Sequence, residues 1–223
     1  RETVCRLLRH YEALLAGAVE DPEQAISRLP MLDDAEHKQL LDWTATATAY
    51  PRDATLAAQF ATQVATTPDA VALVFEDQQL TYRELDARAS RLASYLRATR
   101  GVGPEVRVGL YLQRSVEMIV GVLGIIKAGG AYVPLDPNAP ASRLAFILED
   151  ADDPVVLTLD EQRGELPAEW SGPVVALDGE WSMIAETPAT PLTCDATAES
   201  LAYIMYTSGS TGDNVYGVNL NGD

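Results

Sequence analysis

Between Val106 and Leu177 short apolar runs alternate with stretches whose apolar residues recur at helical spacing, which leaves few architectures open. Val106–Leu112, Ala131–Leu135, Pro154–Leu159 and Val174–Leu177 have the length and composition of buried strands. Ser115–Lys127 and Arg143–Glu149 read as helices between them, and Gly129-Gly130 stops the first. Short apolar strands separated by helices predict an α/β fold, a mostly parallel sheet with flanking helices on both faces.

A further apolar run, Leu201–Tyr206, opens directly into Thr207, Ser208, Gly209, Ser210, Thr211 and Gly212. A strand that runs into hydroxyl residues and glycines suits a phosphate. Small residues let the backbone turn tightly, N–H groups converge on the anion, and hydroxyls add donors. The P-loop pattern GxxxxGK[ST] is absent, and no lysine follows. A flexible Ser/Gly linker has the same composition. On the residues alone both readings stand; the strand in front favours the phosphate cradle, because open α/β sheets bind ligands at the carboxyl ends of their strands.

The rest of the chain is helical or connecting. Val4, Leu7, Leu8, Tyr11, Leu14 and Leu15 form one stripe of a helix over residues 3–16 that is expected to end near Gly17. Leu29–Leu32 reads as an extended apolar latch. Asp33 with Glu36 forms a capping box for a helix through Trp43, and the Thr/Ala-rich residues 44–53 read as a linker. Thr55 caps another helix that stops before Pro68. Val71–Phe75 and Leu80–Tyr82 predict a hairpin turning over residues 76–79, and Thr81 with Glu84 caps the helix from Arg83 to Ala98. Residues 160–173 and 178–200, acidic or rich in Pro and Thr, are expected to be surface loops.

Sixteen basic residues stand against 33 acidic ones, a formal charge of -17. That field disfavours nucleic acid and anionic membrane as partners, and a phosphate ligand needs a local site to overcome it. Cys5 and Cys194 have no CxxC partner, and His10 and His37 sit in no ligand motif, so no metal site is expected. The apolar run from Met118 to Ile126 is too short to span a bilayer. The sequence starts at Arg1 with no signal-peptide pattern, so a cytoplasmic location and excision from a longer protein are expected.

Three blocks resemble the first three core motifs of the adenylation domains of nonribosomal peptide synthetases: Leu80–Leu85 (LTYREL), Lys127–Asp136 (KAGGAYVPLD) and Leu201–Gly212 (LAYIMYTSGSTG). The resemblance implies an incomplete N-terminal subdomain of an adenylate-forming enzyme over residues 54–212. Residues 1–32 resemble the C-terminal tail of a condensation domain, 33–53 its linker, and 213–223 form an atypical tail. The family activates an amino acid with ATP and Mg²⁺. The carboxylate attacks the α-phosphate, pyrophosphate leaves, and the acyl group passes to the phosphopantetheine thiol of a carrier domain during secondary-metabolite, including antibiotic, biosynthesis. By resemblance, Thr207 through Gly212 hold the leaving phosphates. Tyr82 and the Lys127–Asp136 block read as scaffold, with Lys127 a helix-end lysine.

After Gly212 the family continues with a variable residue and then Pro-Lys-Gly, whereas here Asp213-Asn214-Val215-Tyr216 follows. The loop lysine is missing, and an aspartate beside a phosphate opposes the bound anion. Residues 219–223 read as a turn or an appended tail, and a sheet ending at Leu201–Tyr206 is expected to leave an unpaired edge. The family's amino-acid pocket, adenine and ribose contacts and catalytic lysine correspond to none of these residues. No catalytic residue is therefore assigned, and the isolated chain is expected to be inactive. Two alternatives accompany this reading: a non-catalytic docking platform between synthetase domains, and a fragment of an acyl-CoA ligase-like enzyme.

Overall fold

The structure, a computed structural model, describes residues 2–152, 154–188, 196–207 and 214–219. The chain divides into two compact units, residues 1–50 and 51–223.

The first unit holds two helices, α1 (Glu2–Glu20) and α2 (Asp34–Thr44), with a 3-10 turn at Ile26–Arg28 between them. α1 runs through Gly17 instead of ending there. A Cβ at Gly17 would lie 2.7 Å from Cδ of Pro30, so the glycine admits the close approach of Leu29-Pro30 and is not a terminator. The expected capping box forms. Glu36 N–H donates to Asp33 Oδ1 at 2.8 Å, and Asp33 N–H donates to Glu36 Oε2 at 3.3 Å. The same Glu36 oxygen lies 2.8 Å from His10 Nε2, which ties α2 to α1. Val4, Leu7, Leu8 and Tyr11 are exposed along one stripe of α1.

The second unit opens with α3 (Leu56–Thr66), capped by Thr55, and an antiparallel hairpin of β1 (Val71–Phe75) and β2 (Gln78–Thr81). Phe75 pairs with Gln78, so the turn is two residues shorter than the sequence suggests; Glu76 makes it with φ 51°. α4 (Tyr82–Arg100) starts on the Thr81–Glu84 capping box and ends at Gly101 in the left-handed conformation, φ 65°. There follow β3 (Arg107–Tyr111), α5 (Val116–Ala128), β4 (Ala131–Leu135), α6 (Ala141–Asp150), β5 (Val155–Thr158), β6 (Val174–Ala176), α7 (Trp181–Glu186), β7 (Leu201–Thr207) and β8 (Asn214–Asn219).

These last strands form one sheet in the order β6-β5-β3-β4-β7-β8. Every pairing from β6 to β7 is parallel, and β8 joins β7 antiparallel. Helices cover both faces, as the alternation of strand and helix requires. Val108, Leu110, Val155 and Leu157 pack in one cluster with Leu92 and Leu96 of α4 and Ile125 of α5. Tyr111, Val133, Val156 and Ile204 pack in another with Leu144 and Leu148 of α6.

Two further expectations are corrected. Residues 214–219, read as part of a tail, are a strand that pairs along β7 from Thr207↔Asn214 to Leu201↔Asn219, so the β7 edge is covered. Residues 160–173 and 178–200 are not simple loops. They contain a 3-10 segment, Asp160–Glu165, and α7, whose Ile184 is fully buried.

Glu180 organises these segments. Its Oε1 accepts from the Ala176 N–H at 3.2 Å and from Arg163 Nη2 at 3.1 Å, and its Oε2 accepts from the Tyr95 hydroxyl at 2.9 Å. Burial, with Glu180 adding to it, holds the Tyr95 phenol above its ordinary pKa, so it stays a donor. Glu180→Ala strands these donors and is expected to cost about 1–3 kcal/mol. Glu180→Gln, which keeps one acceptor, is expected to cost less. Urea unfolding checks both, and equal loss in the two variants would contradict the acceptor role.

Candidate active site at the carboxyl ends of the strands

The chain leaves β3, β4 and β7 on one edge of the sheet, and it does so through polar residues. β3 gives way to Leu112, Gln113 and Arg114 before Ser115, whose hydroxyl accepts from Met118 N–H at 3.1 Å and starts α5. β4 gives way to Asp136-Pro137-Asn138. Asp136 Oδ1 accepts from the Asn138 backbone N–H at 2.9 Å and from its side-chain Nδ2 at 3.1 Å, a local turn that fixes this exit. β7 ends in Tyr206 and Thr207.

These exits enclose a cleft of about 780 Å³ lined by Leu112, Gln113, Arg114, Asp136, Asn138 and Tyr206 among others. Its position is the one at which open α/β sheets bind ligands. The lining offers amide and guanidinium donors, one carboxylate and an aromatic face. The Tyr206 hydroxyl donates to Asp150 Oδ2 of α6. Burial first, then that bond and the charge of Asp150, push the Tyr206 phenol far above its ordinary pKa, so it is a neutral donor at all physiological pH. The phenol of Tyr111, the last residue of β3, is likewise raised, chiefly by burial and then by the charge of Glu165.

Of the six residues assigned to phosphate, Thr207 is described. It is half-buried at the end of β7, and its carbonyl accepts from Arg143 Nη2 of α6 at 3.3 Å. Ser208, Gly209, Ser210, Thr211 and Gly212 lie outside the described residues, as does Asp213. The pairing of Thr207 with Asn214 brings the two flanks of that stretch opposite each other at the same edge as the cleft.

Of the residues read as scaffold, Tyr82 and the Lys127–Asp136 block, Tyr82 and Lys127 lie among helix contacts and do not line the cleft. Lys127 Nζ donates to Asp86 Oδ1 of α4 at 2.6 Å and stands 5.8 Å from the Phe60 ring centroid; that ring lies 6.0 Å from Tyr82. The motif containing Lys127 nevertheless reaches the site at its other end, because Pro134, Leu135 and Asp136 line the cleft. Sequence reasoning passed over Asp136 as a cleft residue, and over Arg114 and Arg143. The available signal was position, since polar residues directly after a buried strand belong to the ligand edge.

No group of three or more His, Cys, Asp or Glu side chains that could hold a metal occurs among the described residues. Asp136 is the carboxylate in the cleft lining that could face a cation.

The AMP-binding enzyme family matches residues 60–214. A linear gramicidin synthase of Brevibacillus parabrevis is 46% identical over 211 residues, which is 94% of this chain and 4% of that protein. The nonribosomal peptide synthetase FmoA3, solved also with AMPPNP bound, is 30% identical with a TM-score of 0.81 over 98% of this chain and 23% of its own. The N-terminal subdomain of Klebsiella oxytoca NpsA, 24% identical, shares the fold with a TM-score of 0.65 over 76% of this chain and 43% of its own. The chain thus spans a small fraction of the length of the relatives it matches.

Proposed function

The chain belongs to the AMP-binding enzymes, as the N-terminal part of an adenylation domain of the nonribosomal peptide synthetase type, and from that premise we propose that it supplies the phosphate-holding part of an amino-acid-activating site. The observation that carries the reading is the exit of β7, where a half-buried strand next to β4 ends at Thr207 beside the cleft and the hydroxyl–glycine stretch follows in sequence.

In this reading ATP lies across the cleft, with Mg²⁺ neutralising its phosphates. The amino-acid carboxylate attacks the α-phosphorus, the α–β bridge breaks, and pyrophosphate leaves with the developing charge. Thr207, Ser208, Ser210 and Thr211 contribute hydroxyl donors, while Gly209 and Gly212 let backbone N–H groups approach without side-chain bulk. Asp136 and Asn138 line the same cleft. The aminoacyl group then passes to the phosphopantetheine thiol of a carrier domain.

Residues 1–32 are proposed as the tail of an upstream condensation domain and 33–53 as the linker into adenylation, within a cytoplasmic assembly. Support comes from the exposed stripe of α1, where Leu7 is 62% and Leu8 60% exposed, an apolar face suited to a neighbouring domain. The same stripe favours an accompanying role as a docking platform between domains. An acyl-CoA ligase-like parent is disfavoured by the peptide-synthase relatives.

The test is ATP–pyrophosphate exchange. The intact polypeptide that carries these residues is expected to exchange label only in the presence of an amino acid, and residues 1–223 alone are expected to show none. Amino-acid-dependent exchange by the 223 residues alone would contradict the assignment of catalysis to residues outside them.

A further inference from the structure

We propose that one face of α6 is a clamp on the exit of β7 and that Arg143 is a positioning residue of the phosphate site, acting through the Thr207 carbonyl; the inference rests on the functional reading above. Arg143, Phe146 and Asp150 are spaced three and four residues apart and form one stripe of the helix. Each reaches the strand end or its neighbour. Arg143 Nη2 donates to the Thr207 carbonyl at 3.3 Å. The Arg143 guanidinium also stands 5.7 Å from the Phe146 ring centroid. Phe146 meets the Tyr206 ring edge-on, centroids 6.4 Å apart at 87°. Asp150 accepts the Tyr206 hydroxyl.

The clamp sits where the sheet itself provides little. On its β4 side, β7 has one register partner, Tyr132↔Tyr203, so parallel pairing there stops before Tyr206 and Thr207. On the other side β8 pairs up to Thr207. Tyr206 and Thr207 are therefore held within the sheet by β8 and from its face by side chains of α6.

A phosphate cradle works only if its donors are placed to a fraction of an ångström, and a misplacement of about 1 Å costs on the order of a hundredfold in rate. Precision of that kind is supplied by residues behind the contacting ones. Arginine suits the task. Its planar fork binds a carbonyl while its face lies on an aromatic ring, and it holds its charge at any pH. Tyr206 also lines the cleft, so the clamp sets the wall and the exit of the site together.

The experiment uses the intact polypeptide and measures the KM for ATP and for amino acid in exchange, the Kd for Mg·ATP by calorimetry, and thermal melting. Arg143→Gln is expected to raise both the ATP KM and the Mg·ATP Kd about 10- to 100-fold, the range of a lost charge-assisted hydrogen bond. The amino-acid KM is expected to stay within about twofold, since Arg143 acts through the Thr207 carbonyl, where the phosphate stretch begins. Phe146→Leu, which touches no ligand, is expected to shift ATP binding in the same direction by about 3- to 10-fold. The double variant is expected to be no worse than Arg143→Gln alone, because both act through one clamp. Arg143→Lys, which keeps the charge and one donor, is expected to recover part of the loss.

An ATP KM and Kd within twofold of wild type in Arg143→Gln would overturn the proposal. Multiplying effects of Arg143→Gln and Phe146→Leu would overturn it too, by showing that Arg143 acts on the nucleotide independently of the clamp. A parallel fall in melting temperature, amino-acid KM and ATP binding would reduce Arg143 to a general structural role. If the wild type binds Mg·ATP but shows no amino-acid-dependent exchange, the functional reading fails while the Kd comparison still decides on the clamp. Failure to bind Mg·ATP at all overturns both.

Discussion

Leu92→Ala is expected to destabilise the 51–223 unit by about 2–5 kcal/mol, the cost of emptying a well-packed leucine site. Leu92 is fully buried where α4 meets α5. A Cβ built on Gly124 of α5 would lie 2.6 Å from Leu92 Cδ2 and 3.1 Å from its Cβ. The helices approach so closely because a glycine faces a leucine. Gly124→Ala alone gains about 1 kcal/mol of helix propensity but drives a methyl into Leu92, an overpacking that costs about 1–3 kcal/mol. The two effects are therefore coupled. In the double variant the new methyl fills part of the space Leu92 leaves, so chemical unfolding should find it more stable than Leu92→Ala alone. A double variant at or below Leu92→Ala would mean that the α4–α5 seam does not depend on this pair.

The largest functional effect is expected in the hydroxyl–glycine stretch. Replacing Ser208 and Ser210 by alanine and Thr211 by valine removes three hydroxyl donors and leaves the backbone able to turn. In the intact polypeptide this combination should lower kcat/KM for ATP by about 10²–10³, the scale set by removal of preorganised donors to a developing charge. Melting should barely move, because the substitutions are small and follow the last residue of β7. The amino-acid KM should change little. A loss confined to the amino-acid KM would assign the stretch to substrate recognition and contradict the phosphate role. Asp213 gives this site an unusual neighbour, since its carboxylate stands next to the proposed phosphate residues in sequence and adds to a formal charge of -17.

The parallel sheet was legible because buried strands need no polar alternation, so β3, β4, β5 and β6 appear as plain apolar runs. The capping boxes at Asp33–Glu36 and Thr81–Glu84 were legible because they are local, each set by a hydroxyl or carboxylate and a glutamate three residues on. What escaped depended on distant partners. α7 lies in a stretch that reads as a loop; its order depends on Ile184 entering the core and on Glu180 reaching Tyr95, 85 residues earlier. Gly17 reads as a helix stop until Pro30 is seen against it. β8 carries Asn214, Gly217 and Asn219, poor strand formers, and is a strand because β7 offers it an edge.

The candidate site divides in the same way. The hydroxyl–glycine stretch is a contiguous pattern and declares itself. The cleft does not, because it is assembled from Arg114, Asp136 and Tyr206 at the ends of separate strands. Arg143 is further removed still. Nothing near it in sequence marks it, and its place is known only from a carbonyl 64 residues away.

Our proposal is that the intact polypeptide breaks ATP between the α- and β-phosphates for an amino-acid carboxylate. The most direct test incubates the intact polypeptide with Mg·ATP, a mixture of amino acids and hydroxylamine, and identifies the products by mass spectrometry. AMP, pyrophosphate and an aminoacyl hydroxamate are expected in equal amounts. ADP and inorganic phosphate with no hydroxamate would contradict the proposal.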